Sequence, residues 1–315
     1  NQVRRDEGRN GVTVEGGWNF IPQTPPISAE YVALRNLRYA AFGCLCNIAD
    51  DPEIEIEGID FLWYPQERAR LKERFAALRA LHPQLRLMFH IAHSLLTTNK
   101  PEQLFPDSRV LGPDGTHLIW PYDYFNTSYF TKRRAEEGYR WYTYYPTPGN
   151  SFHDALLKTV DVLVDDIGCD AAFMDGFFCG YVSPWTYDRW DGRTVDLDPQ
   201  THEIKRKYAS VLWLSQPSMV AFTEKMVKRG AVVIANNTIM TRTIGKLPII
   251  VDQELRSGPD VHFAQTPCAL GNATVIRNEG DVYDDVLDKL RWANLYFYYG
   301  EKELTYPSLP QQQYP

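Results

Sequence analysis

The sequence predicts an α/β fold, a (β/α)8 TIM barrel, on three observations. Apolar runs of strand length recur along the chain and alternate with helix-length stretches. These runs close on polar or ionisable residues, as expected where the C-terminal strand ends carry a site. No Gly-rich phosphate fingerprint follows an early strand, so the main signature of the competing doubly wound sheet is missing. A chain of 315 residues accommodates one such barrel and buries its core without disulfide or metal staples.

Residues 1–38 read as an irregular N-terminal segment, 39–300 as the barrel and 301–315 as a tail. Pro22, Pro25 and Pro26 break regular structure early, and Ser28 is placed to cap a short helix through Leu34. Residues 39–48 form the first predicted strand. An amphipathic helix follows Pro65, with Leu71, Phe75, Leu78 and Leu81 on one face. His82-Pro83 ends it, and residues 85–91 form the next strand, which makes a βαβ unit and requires a parallel sheet. The long stretch 92–138 has four prolines but is too aromatic for disorder, and it reads as a wall of a cleft.

Residues 139–145 are the third predicted strand. Ser151 is expected to cap a helix whose core face is Ala155, Leu156, Val160, Leu163 and Ile167, stopped by Gly168. The run Ala171-Ala172-Phe173-Met174 then ends on Asp175-Gly176. An ionised carboxylate is costly to bury without a partner, so an acid at the lip of a buried strand is a functional candidate. A second aromatic loop follows, over 177–199. A helix is predicted over 208–228, with Pro217 expected to kink or divide it. Further strands are expected over 231–235, 248–251, 261–264 and 295–299, with a helix over 282–292. No helix is evident after the last strand, so the final βα unit reads as incomplete.

The charge balance of 33 Lys+Arg against 40 Asp+Glu, net −7, argues against a general binder of nucleic acid or anionic membranes. No stretch is long and apolar enough to span a membrane. The five cysteines show no zinc-ligand spacing, and no metal or cofactor is expected. The chain begins at Asn1, so a removed leader, and with it a secreted or periplasmic location, stays open. The 19 Tyr, 15 Phe and 8 Trp fall largely in loops, where flat rings suit the apolar faces of sugars. An oligo- or polysaccharide is therefore the expected partner.

Two carboxylates facing one cleft are the minimum for breaking a glycosidic bond. Asp175 is the candidate nucleophile; Glu254, with Asp252 as its alternative at the same strand parity, is the candidate general acid/base. His90, His93, Trp120, Tyr122, Asp123, Tyr145, Phe177, Trp185, Asn236, Asn237 and Gln265 are the candidate substrate contacts. The run from Gly168-Cys169-Asp170 to Asp175-Gly176-Phe177 resembles the fourth βα step of TIM-barrel glycoside hydrolases, most closely the α-retaining clan of α-galactosidases and α-glucosidases. That resemblance implies a nucleophilic Asp175, an acid after the sixth strand and retention of configuration. The sequence departs from the pattern at Asp170-Ala171, where the clan has Asp-Gly, and at Phe173-Met174, which replace a lysine. Two other readings stand beside it: a barrel that binds carbohydrate without cleaving it, and a metal-dependent hydrolase using His90, His93 and Asp123.

Overall fold

The computed structural model describes residues 17–20, 28–34, 37–42, 59, 65–120, 138–177, 183–236, 241–253, 269–272, 283–284, 287 and 295–297. Its centre is an eight-stranded sheet of β1 (Gly17–Phe20), β2 (Leu37–Phe42), β3 (Arg86–Ala92), β6 (Ala171–Asp175), β11 (Val232–Asn236), β12 (Ile249–Gln253), β13 (Ala269–Asn272) and β14 (Leu295–Phe297). Every neighbouring pair is parallel, and the spatial order follows the chain order. A doubly wound sheet reverses strand order at a switch point, and this one has no reversal. It is therefore singly wound. Among the described residues no ladder joins β1 to β14.

The eight strands are not all those expected. Residues 139–145 do not join this sheet: β5 (Arg140–Thr143) pairs antiparallel with β4 (Leu95–Thr98), forming a lobe beyond β3. Alternating apolar residues look the same whether a strand's partner lies in the main sheet or in a hairpin, so the pattern could not tell. In its place stand β1, inside the stretch read as irregular, and β13. The run 261–264 and most of 282–292 lie outside the described residues.

Among the described residues four α-helices pack near this sheet: α1 (Ala29–Leu34), α2 (Pro65–Leu81), α3 (Ser151–Val160) and α4 (Val211–Val227). Leu71, Phe75 and Leu78 of α2 are buried as expected, whereas Leu81 in its last turn is exposed. The cap of α3 is Asn150, not Ser151: its Oδ1 accepts from His153 N at 2.9 Å, while Ser151 turns to Asp107. The helix then widens into a π-helical turn, Asp161–Ile167, and ends at Gly168 with φ +84°, a left-handed stop that glycine adopts without strain. Against expectation, α4 runs unbroken through Pro217. The carbonyl this costs a partner belongs to Trp213, an exposed residue. Between β6 and α4 the chain inserts β7 (Trp185–Thr186), β8 (Val195–Leu197), β9 (Ile204–Lys207) and β10 (Ala209–Ser210), in two small antiparallel pairings. Among the described residues no helix is long and apolar enough to cross a membrane.

Successive strand residues face opposite sides, and the core divides accordingly. One cluster joins Ala40, Phe42, Leu87, Phe89, Ala172, Met174, Val233 and Val251 to the helices. The other holds Tyr39, Ala41, Met88, Ala171, Phe173, Ile234 and Ile250 on the opposite, inner face. Continuing the inner parity toward the C-terminal strand ends gives His90, Asp175, Asn236 and Asp252. That periodicity assembles the candidate site.

Candidate active site

Asp175 closes β6, with Ala92 of β3 as its partner on one side. On the other side β11 brings Asn236 to the same level, and Asn236 is in register with Asp252 of β12. Asp175, Asn236 and Asp252 thus form one row across three strands, with Asp175 and Asp252 two strand spacings, about 10 Å, apart along the sheet. Gly176 follows with φ +61°, which lets the chain leave the strand sharply at the acid.

The carboxylate of Asp175 is held but not sealed. Asn236 Nδ2 donates to Asp175 Oδ1 at 2.8 Å, and one-fifth of the side chain remains exposed. His90 Nε2 lies 3.7 Å from Oδ2, with its ring stacked on Phe173 at 5.2 Å. Burial pushes His90 from 6.5 down to about 3, so this ring is neutral and forms no ion pair with the acid. His93, wholly buried, is likewise pushed down to about 4 by desolvation, which outweighs its bond to the Asp175 carbonyl. Being neutral, it donates from Nδ1 to that carbonyl at 3.1 Å. The two histidines grip the acid residue from different sides, one near its carboxylate and one at its backbone. Asp252 is fully buried.

The other expected contacts are dispersed. Trp120 packs on Trp141 at 5.3 Å in the lobe beyond β3. Phe177 is buried, 6.4 Å from the His93 ring. Trp185 is exposed on β7, edge-on to Tyr208. Tyr145 is buried, and its hydroxyl donates to Asp188 Oδ2 at 2.8 Å; burial first, and then the Asp188 charge, pushes its pKa up. Tyr122, Asp123, Asn237, Glu254 and Gln265 lie outside the described residues. Among the described residues no three His, Cys, Asp or Glu side chains are grouped to hold a metal ion.

Two acids have roles that the sequence did not assign. Asp188 also accepts from Thr186 Oγ1 and Arg189 Nε, and Arg189 reaches the Asp107 carbonyl, so the β6–α4 insertion is tied to the lobe before α3. Asp170, at the opposite end of β6 from Asp175, accepts from Leu87 N and Arg79 Nη2, both at 2.9 Å. The two acids of one short motif divide the work: Asp170 fixes the strand's start, and Asp175 is presented at its end.

The neutral histidines carry a pH prediction. His90, His93 and His117 (burial pushes the last to about 4) stay neutral in the fold, whereas in the unfolded chain each takes up a proton below 6.5. The unfolded state therefore binds more protons as pH falls from about 6.5 toward 4, and stability drops by up to about 1.4 kcal/mol per pH unit per histidine. Urea unfolding at pH 7 and pH 5 is expected to differ by about 2 kcal/mol for each of them. His117→Gln should flatten that slope; an unchanged slope contradicts a neutral buried ring.

No protein-family model matches the chain, and no curated protein matches it. Solved structures do. A cycloisomaltooligosaccharide glucanotransferase from Paenibacillus sp., complexed with cycloisomaltoheptaose, superposes with a TM-score of 0.51 at 8% identity, over 83% of this chain and 39% of that one. A GH31 family sulfoquinovosidase from E. rectale gives 0.49 at 9% identity, over 94% and 45%. An alpha-N-acetylgalactosaminidase from Bifidobacterium bifidum gives 0.46 at 13%, over 96% and 49%. Only the first is near enough to speak to the fold. The chain spans less than half the length of each of these enzymes.

Proposed function

We propose that the parallel sheet closes into a (β/α)8 barrel and that the chain is the catalytic part of a glycosidase acting on an oligo- or polysaccharide. The observation that carries this is the inner row itself. A partly exposed carboxylate at a strand's C-terminal end is steadied by a neutral amide and a neutral imidazole, and a second acid stands two strands away. His90, being neutral, places no positive charge beside the Asp175 carboxylate.

In this reading Asp175 attacks the anomeric carbon as the glycosidic C–O bond breaks, and the general acid protonates the departing oxygen. The resulting glycosyl ester on Asp175 is then hydrolysed by water that the former general acid, now a base, deprotonates, freeing the Asp175 carboxylate. Two inversions give net retention. The reaction needs neither metal nor cofactor. Glu254 follows Asp252 by two residues in the sequence, so it shares that acid's parity there and is the proposed acid/base. Asp252, fully buried, is the alternative donor.

Leaving-group dependence tests the assignment. Glu254→Gln is expected to slow cleavage of unactivated glycosides about 10²–10⁴-fold. Aryl glycosides with acidic phenols, which leave without a proton, should be slowed far less at the glycosylation step. Equal losses on both substrates, or a larger selective loss in Asp252→Asn, would move the proton donor to Asp252.

A further inference from the structure

Asp175 is followed by a glycine, so the backbone beside the acid is held only weakly by its own sterics. The peptide plane between the two residues turns with ψ of Asp175 and φ of Gly176. Gly176, at φ +61°, carries no Cβ to restrict that turn. The rotamers open to an Asp side chain depend on its backbone angles, so the orientation of this plane governs where the carboxylate points. Phe177 N donates to the Asn236 carbonyl at 3.1 Å, which fixes the chain beyond the glycine.

On the near side His93 holds the acid's own carbonyl. β3 ends at Ala92, the residue opposite Asp175, and His93 follows at the root of the lobe. Its Nδ1 donates to the Asp175 carbonyl at 3.1 Å, and its ring lies 6.4 Å from that of Phe177, across the glycine. The ring is wholly buried and has no face to offer a sugar, so the role of substrate contact does not suit it. The lobe sets its position in turn: Tyr144 N donates at 2.9 Å to the carbonyl of the next residue, Ser94. A donor fixed in advance is what exact presentation of a reacting group needs.

We propose that His93 is a positioning residue for the nucleophile: by holding the Asp175 carbonyl it fixes the plane beside Gly176, and through it the angle at which the carboxylate meets the anomeric carbon. This rests on the glycosidase reading above. His93 acts through Asp175 and touches no substrate, so its loss is felt equally in kcat and kcat/KM and leaves KM in place. His117 supplies the contrast. It too is a buried histidine whose ring donates to a backbone carbonyl, from Nε2 to Thr143 at 2.8 Å, but it does so within the lobe and not on the acid.

His93→Leu, His93→Asn and His117→Leu test this, each assayed after the active fraction has been counted with a slowly hydrolysed fluorinated donor. Leucine fills the ring's space without a donor, whereas asparagine carries an N–H at the branch of the side chain where Nδ1 stands in histidine. In His93→Leu, kcat per active chain should fall about 10–100-fold with KM within about threefold. His93→Asn should recover most of that loss, and His117→Leu should keep the wild-type kcat per active chain whatever stability it loses. Should His93→Leu not fold, His93→Gln, which moves the donor one bond farther out, should lose at least about threefold. Crystal structures give the second readout: the Asp175 Oδ1–Asn236 Nδ2 bond should open in His93→Leu and persist in His93→Asn. An unchanged kcat in His93→Leu or its Gln substitute, an asparagine variant as slow as the leucine one, an equal loss in His117→Leu or an unmoved Asp175 carboxylate overturns the proposal. A wild type that cleaves no glycoside sinks the hydrolase reading instead, and the crystal structures then decide the hold of His93 on Asp175 by themselves.

Discussion

Asp175→Asn is expected to lower kcat by at least about 10³-fold while leaving substrate affinity and fold in place. The asparagine oxygen still accepts from Asn236 Nδ2, so the row across β6 and β11 keeps its geometry. What disappears is the negative charge that forms the bond to the anomeric carbon. Trading a charged acceptor for a neutral one costs stability about 1 kcal/mol, which urea unfolding would register as a small shift. The large kinetic loss beside that small thermodynamic one is the signature of a nucleophile. A barrel that binds carbohydrate without cleaving it shows no turnover to lose. A variant that retains turnover within tenfold places the nucleophile elsewhere.

The second large effect concerns the aromatic cluster where α3 meets the lobe beyond β3. Phe152, at the start of α3, is fully buried, edge-on to Phe105 at 5.1 Å and stacked on Tyr144 at 5.5 Å. Phe105 has φ +46°, a conformation that a bulky residue holds only under constraint from its surroundings. Phe152→Ala removes part of that constraint and leaves a cavity, and it is expected to cost about 3–5 kcal/mol. Domains commonly have only about 5–15 kcal/mol in total, so this is a substantial fraction. Calorimetric or urea unfolding reads it directly. A loss under about 1 kcal/mol means that the cluster collapses to fill the gap and that Phe105 is held by other contacts.

The parts of the fold that were legible in the sequence are those set by short-range periodicity. Continuous apolar runs closing on polar residues marked β3, β6, β11 and β12, and strand parity carries His90, Asp175, Asn236 and Asp252 to one face. Gly168 and Gly176 marked turns, because a positive φ there excludes most other residues. Pairing partners were not legible. Residues 140–143 have a barrel strand's pattern, but β4 captures them, since a short strand only three residues beyond β3 offers an antiparallel edge close by. Capping was ambiguous for a similar reason: Asn150 and Ser151 are both competent, and Asp107, distant in sequence, decides by engaging Ser151. The roles of His90 and His93 were hidden because burial sets them: desolvation neutralises each, and the Asp175 carbonyl fixes the tautomer of His93. Asp188 gave no local signal, as Tyr145, one of its partners, lies 43 residues away.

The most direct measurement is to trap the reaction halfway. Incubating the chain with a panel of fluorinated glycosyl donors, whose glycosyl ester hydrolyses slowly, and mapping the modified peptide by mass spectrometry should place one glycosyl unit on the peptide containing Asp175. A label on a different carboxylate, or cleavage that inverts the anomeric centre with no label at all, contradicts the assignment of Asp175 as the attacking group.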